Sequence, residues 1–111
     1  QILAPYGVGA AVTYVRGVPP VVNEPGATSL LDGAVRSVLG EDGAVSTPQS
    51  LGGEDFAWYL EEVPGAMGRL GTRTPGGRTY DLHQGDLHID EGSIAVGAKV
   101  MAAAVLTTLG A

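Results

Sequence analysis

Tyr80–Leu109, YDLHQGDLHIDEGSIAVGAKVMAAAVLTTL, is the stretch whose reading decides the fold. Asp90 is a good helix N-cap, and Glu91 follows it where the helix dipole favours an acid. Ile94, Gly97, Ala98, Met101, Val105 and Leu109 then recur at helical spacing, with alanines filling much of the remaining surface. Small residues nearly all round predict a helix packed tightly against a sheet. Ahead of that helix, Tyr80–Ile89 is a polar loop holding both histidines of the chain, His83 and His88.

Outward from there, the pattern alternates between strand and helix. Thr74-Pro75-Gly76-Gly77-Arg78 reads as a surface turn, and Ala66–Thr72, with Met67 and Leu70, as a strand before it. Leu51 opens a helix running to about Glu62, with Glu54 and Asp55 in its first turn and Val63-Pro64-Gly65 ending it. Ala44–Thr47 is a short strand closed by Pro48. Leu30, Leu31, Ala34, Val35 and Val38 share one face of a helix over about Ala27–Leu39, which Gly40 stops. Ala10, Val12, Tyr14 and Arg16 alternate with Ala11, Thr13 and Val15 as in a strand. Pro19-Pro20 ends that strand, and 21–26 form a stiff extended connector. The order β–linker–α–β–α–β–loop–α predicts an α/β fold.

Composition narrows the function. The chain has 111 residues, of which 18 are glycine and 7 proline, roughly twice the usual share. It turns often, yet at 44% hydrophobic it is no disordered segment. Six Lys and Arg against twelve Asp and Glu give a net charge of −6, with the cations scattered from Arg16 to Lys99. Nucleic acid and anionic membrane surfaces both need clustered cations, so neither is an expected partner. The apolar run at Ile94–Leu106, broken by Lys99, reads as short for a membrane span. With no cysteine there is no disulfide framework and no thiolate metal site, and a cytoplasmic location is expected. Gln1 is not an initiator Met, and the opening residues read as the middle of a domain, so a fragment is expected.

Three places could carry chemistry. His83 offers an imidazole, the commonest transition-metal ligand, but a lone histidine holds no metal, and on composition alone it reads as a surface residue. Gly52-Gly53 before Glu54-Asp55 leaves backbone N–H groups free to meet an anion, and equally makes an ordinary helix start. Asn23, at the end of the connector, reads as a turn or cap residue. No nucleophile triad and no phosphate loop has a spacing signature here.

Together, Pro19-Pro20-Val21-Val22-Asn23, Gly52-Gly53-Glu54-Asp55-Phe56, Val63-Pro64-Gly65-Ala66, Leu70-Gly71 and Tyr80 through His83 to Asp90-Glu91 resemble, in order and spacing, the C-terminal end of metallopeptidase family 20. That group comprises aminoacylases, hippurate hydrolases, carboxypeptidases and N-acyl amino acid amidohydrolases. The resemblance implies a two-domain protein: a catalytic α/β sandwich with two divalent ions, zinc or manganese, and a smaller lid that often forms the dimer contact. On that pattern residues 1–16 end the lid, 17–26 cross between domains, and 27–111 are the C-terminal part of the catalytic domain. His83 matches the family's late metal-binding histidine, which the resemblance makes a ligand. Gly52, Gly53 and Glu54 match a segment lining the substrate cleft, and Asn23 a position near the lid hinge with a possible contact to substrate. His88 inherits no role. Gly85 and Leu87 stand where the subgroup often has Pro and Phe. The remaining metal ligands and the glutamate base belong to a part of the family absent from this chain. The implied activity is hydrolysis of the amide of an N-acyl amino acid or small peptide by metal-bound hydroxide, in a homo-oligomer. The chain alone is then expected to be inactive. The alternative is a non-catalytic binding or assembly module that retains the fold.

Overall fold

The computed structural model describes residues 3–110, so the Gln1 end of the stretch assigned to the lid and the terminal Ala111 lie outside the described residues. Helix α1 (Pro25–Leu39) begins on proline, whose missing N–H costs nothing in a first turn. Glu24 caps it. Its carboxylate accepts from the Ala27 N–H at 2.6 Å, and its carbonyl from the Thr28 N–H and Oγ1, both at 2.8 Å. The helix thus starts two residues before Ala27, inside the stretch assigned to the crossing. Gly40, at φ +82°, ends it by donating its N–H to the Arg36 carbonyl at 2.8 Å. Arg36 then joins Asp32 at 2.7 Å to the Glu41 carbonyl at 2.6 Å, tying the helix to the 3-10 turn Glu41–Gly43.

Helix α2 is Phe56–Glu62 and helix α3 is Gly92–Leu109. Helices α1 and α3 pack on each other, and residues 65–72 touch both. A Cβ on Gly68 would lie 3.2 Å from Leu31 Cδ2 of α1, and one on Gly97 of α3 would lie 3.0 Å from Leu70 Cδ2. The segment is anchored at one end by the Glu24 N–H donating to the Gly65 carbonyl at 2.9 Å. At the other, the Asp90 N–H donates to the Thr72 carbonyl at 2.7 Å. The residues sealed most fully are Ala34 of α1 and Ala57 of α2, each 1% exposed, followed by Ser93 and Val100 of α3.

Three expectations change. The strands expected over 10–16, 44–47 and 66–72 do not form: among the described residues there are three α-helices and no strand. A strand exists through its hydrogen-bonded neighbour. Residues 10–16 keep the strand-like alternation but lie exposed on both sides, Val12 at 88% on one and Val15 at 83% on the other. Next, Glu54 and Asp55 precede α2 and are not in its first turn. Finally, α3 turns a different face inward. Ser93, Val96, Gly97, Val100, Ala103 and Ala104 are its sheltered positions, whereas Ile94, Met101, Val105 and Leu109 are exposed. By length and apolar composition α3 is also sufficient to cross a membrane, which the run broken by Lys99 did not suggest, although one of its faces packs on α1.

Candidate functional site

The polar loop between residues 72 and 90 is closed like a hairpin without being a ladder. The Asp90 N–H bond to the Thr72 carbonyl forms its base. Gly76 at φ +72° and Gly77, where a Cβ would meet the Thr74 carbonyl at 2.9 Å, make the turn that sends the first leg forward. Farther in, the Arg78 guanidinium lies 4.7 Å from the centre of the Tyr80 ring and 3.6 Å from an Asp86 oxygen. The Tyr80 and His88 rings approach to 5.7 Å, tilted at 56°. Arg73 Nη1 donates to Thr79 Oγ1 at 3.1 Å, and Leu87 N–H donates to the Gln84 carbonyl at 3.2 Å.

His83 stands at the apex of this loop. It has φ +65°, and no other non-glycine described residue has a positive φ. The left-handed region costs an L-residue about 1 kcal/mol or more, so the loop dictates this conformation. The side chain is exposed and makes no hydrogen bond to another described residue. A presented imidazole with a free lone pair fits one position of a metal site. It fits no more than one, because among the described residues no three His, Asp or Glu side chains gather.

The Gly52-Gly53-Glu54 segment has a local role as well. Glu54 sits before α2 with its carboxylate accepting from the Phe56 N–H at 3.2 Å and its carbonyl from the Ala57 N–H at 3.1 Å. Gly53 meets the connector: a Cβ there would lie 3.0 Å from Val18 Cγ2, next to the buried Pro19. Gly52 donates its N–H to Ser50 Oγ at 3.2 Å.

Asn23 is a clamp, not a cap. Its Oδ1 accepts from the Met67 N–H at 2.9 Å and its Nδ2 donates to the Met67 carbonyl at 3.1 Å, so the side chain answers both backbone groups of one residue 44 positions away. The geometry is that of a strand neighbour supplied by a side chain. Three residues go beyond the sequence reading. The Glu24 cap had a signal in the proline that follows it. Arg78 and Tyr80 had only their chemistry, because their cross-loop partners are set by the turn between them.

The family described as peptidase family M20/M25/M40 matches residues 7–107. The chain belongs to that family, and relatives that it matches carry the names hydrolase, amidohydrolase, deacetylase and carboxypeptidase. A Rhodococcus jostii protein named glutamate–cysteine ligase 2-3 is 49% identical over 103 residues, covering 93% of this chain and 13% of that protein. A Synechocystis protein named as a hydrolase is 44% identical over 99 residues, 86% of this chain and 25% of the relative. A Bacillus subtilis protein named as an amidohydrolase, YhaA, is 33% identical over 107 residues, 96% of this chain and 27% of the relative. The chain therefore spans between 13% and 27% of the length of these relatives. No solved structure matches it significantly. Membership points to an α/β peptidase fold, to which the described residues contribute helices and no ladder.

Proposed function

We propose that this chain forms the C-terminal part of the catalytic unit of a metal-dependent amidohydrolase, which cleaves the amide of an N-acyl amino acid or small peptide. The observation that carries this reading is the family match over residues 7–107, which takes in His83 and residues 52–54 together. The amidohydrolase name of one relative supports the reaction class. In this reading 1–16 belong to a lid, 17–26 to the crossing, and 27–111 to the catalytic domain of a homo-oligomer.

His83 supplies one ligand, and the other ligands and the general base come from outside the chain. A bound divalent metal, zinc or manganese, would make water acidic and polarise the scissile carbonyl. The chain's own residues present and orient. The loop holds the imidazole outward in its left-handed conformation. Gly52 and Gly53 let backbone come close at the edge of the substrate cleft, and Glu54 fixes that edge to the start of α2. Asn23 fixes the end of the crossing to the segment that leads to the His83 loop.

The test is His83→Ala in the protein as its source makes it, assayed with N-acetyl amino acids under saturating zinc or manganese. Turnover should fall by about 100-fold or more, at or beyond the upper end of the roughly 10–100-fold that loss of a residue merely supporting a ligand costs. Near-normal turnover would remove His83 from the site. A second reading, a binding or assembly module, draws on the ligase-named relative, in which the matched stretch is only 13% of the protein. That reading requires the unaltered protein to hydrolyse none of these amides with metal saturating.

A further inference from the structure

The proposed ligand is held by a structure that neither family membership nor spacing suggests. Contacts between the two legs of the loop bracket His83 from both sides. Thr72 meets Asp90 at the base through a 2.7 Å backbone hydrogen bond. Arg78 on the first leg faces Asp86 on the second at 3.6 Å. Tyr80 on the first leg faces His88 on the second at 5.7 Å between rings. The Arg78 guanidinium 4.7 Å over Tyr80 ties the ion pair to the ring pair. These contacts enclose Asp81–Gly85, with His83 at the middle and its strained φ of +65° at the turn.

We infer that Arg78, Tyr80, Asp86 and His88 form a clasp that sets the backbone of His83 and so presents its imidazole for metal binding. The four are positioning residues, acting through His83 and touching neither metal nor substrate. The inference rests on the proposed ligand role of His83 for its functional half; its structural half stands without it.

Each contact is weak alone, because an exposed ion pair, an exposed cation–π contact and one ring pair contribute little separately. Their arrangement gives them effect. A left-handed histidine persists only where its surroundings over-determine it, and Asp81–Gly85 offers no buried side chain to do so. The Tyr80 hydroxyl makes no hydrogen bond to another described residue, so the ring face is the part that acts. His88 thus has a role distinct from that of His83: it is the second ring of the clasp.

The experiment uses Tyr80→Ala, Tyr80→Phe and Arg78→Ala in the protein as its source makes it, with two readouts. The first, taken without metal, is the order of the His83 backbone amide by NMR relaxation. The second is the zinc dissociation constant by competition with a chelating dye. Tyr80→Ala and Arg78→Ala should both loosen His83 without metal and weaken zinc binding about tenfold, the lower end of what supporting residues give. Tyr80→Phe should match the unaltered protein in both. Unchanged His83 order in the two alanine variants would overturn the clasp, and so would a Tyr80→Phe variant as loose as Tyr80→Ala. A His83→Ala control separates the two ideas. If it binds zinc normally, the ligand reading and the clasp's metal-presenting role fall together. His83 order in the alanine variants then decides the structural half alone. Melting temperatures near that of the unaltered protein are expected for Arg78→Ala, whose side chain is exposed, and for Tyr80→Phe, which keeps the half-buried ring; Tyr80→Ala should melt slightly lower.

Discussion

A single carboxylate decides where the longest ordered stretch of the first half begins. Hydrogen bonds from the Gly26 and Ala27 amides hold the Glu24 carboxyl below its ordinary pKa. Gly26 leaves room for this, since a Cβ there would sit 3.0 Å from Glu24 Oε2. A lowered folded-state pKa means the folded state favours the charged form. Its contribution is therefore complete above the ordinary glutamate value of about 4.3 and fades as pH drops through the lowered one. Asp32, lowered by its hydrogen bond to Arg36, adds to the same acid sensitivity. Glu24→Gln should therefore melt at a lower temperature than the unaltered protein at pH 7, followed by far-ultraviolet circular dichroism. The gap should narrow as the pH falls through the lowered value, below which both proteins carry a neutral cap. An equal gap at pH 7 and below that value would mean that the charge of Glu24 does not hold α1. At this scale the sequence made some residues legible and others not. His83 and Gly52–Glu54 have local chemistry that reads equally as surface residue and helix start, so the roles proposed for them rest on the order and spacing of whole motifs and await the His83→Ala assay. The Asn23 clamp on Met67 was invisible because it joins positions 44 apart, and no local rule links them.

Helices were legible as elements because their signals are local. Gly40 ends α1 where expected, although the helix starts at Pro25, inside the stretch read as connector; Asp90 stands one residue ahead of Glu91, the N-cap of α3, and accepts from the Gly92 N–H at 2.8 Å and the Ser93 N–H at 3.0 Å. The strands were not legible as strands, because alternation in 10–16 or apolar content in 66–72 says nothing of the neighbour that completes a ladder. The inward face of α3 was misread for a related reason: a helix apolar nearly all round gives no preferred direction. Gly97 lies on the sheltered face, where Leu70 of the 65–72 segment comes close enough that an added Cβ would meet its Cδ2 at 3.0 Å. Gly97→Ala should be almost neutral, since a helical propensity gain of about 1 kcal/mol offsets a small shift of the half-exposed Leu70. Gly97→Leu should cost about 2 kcal/mol in urea unfolding, as overpacking does. If Gly97→Leu costs nothing, the 65–72 segment does not press on α3, and the register between them is set elsewhere.

The whole molecule is open. Its radius of gyration is 19.8 Å with extents of 65 × 37 × 22 Å, against about 13 Å for a compact chain of this length. The buried set, led by Ala34 and Ala57, is too small in volume to organise so many apolar side chains, and Val12, Tyr14, Val15, Leu51, Met101 and Leu109 stand in solvent. Two kinds of unpartnered surface result: an alternating segment at 10–16 with unpaired backbone, and the outer face of α3. Both are surfaces that other chain normally covers, and backbone edges in particular pair with whatever strand is available. The 111 residues expressed alone should therefore self-associate. Light scattering after size exclusion should show a mass that rises with concentration, and a dye specific for exposed apolar surface should bind. The N-terminal segment should drive much of this, so Val12→Lys with Tyr14→Lys should lower the association while leaving the helical circular dichroism signal in place. A monodisperse monomer with a radius of gyration near the compact value and one cooperative melt would show the opposite. It would mean that residues 10–16 fold back onto α1 and α3 in solution and that the chain closes its own core.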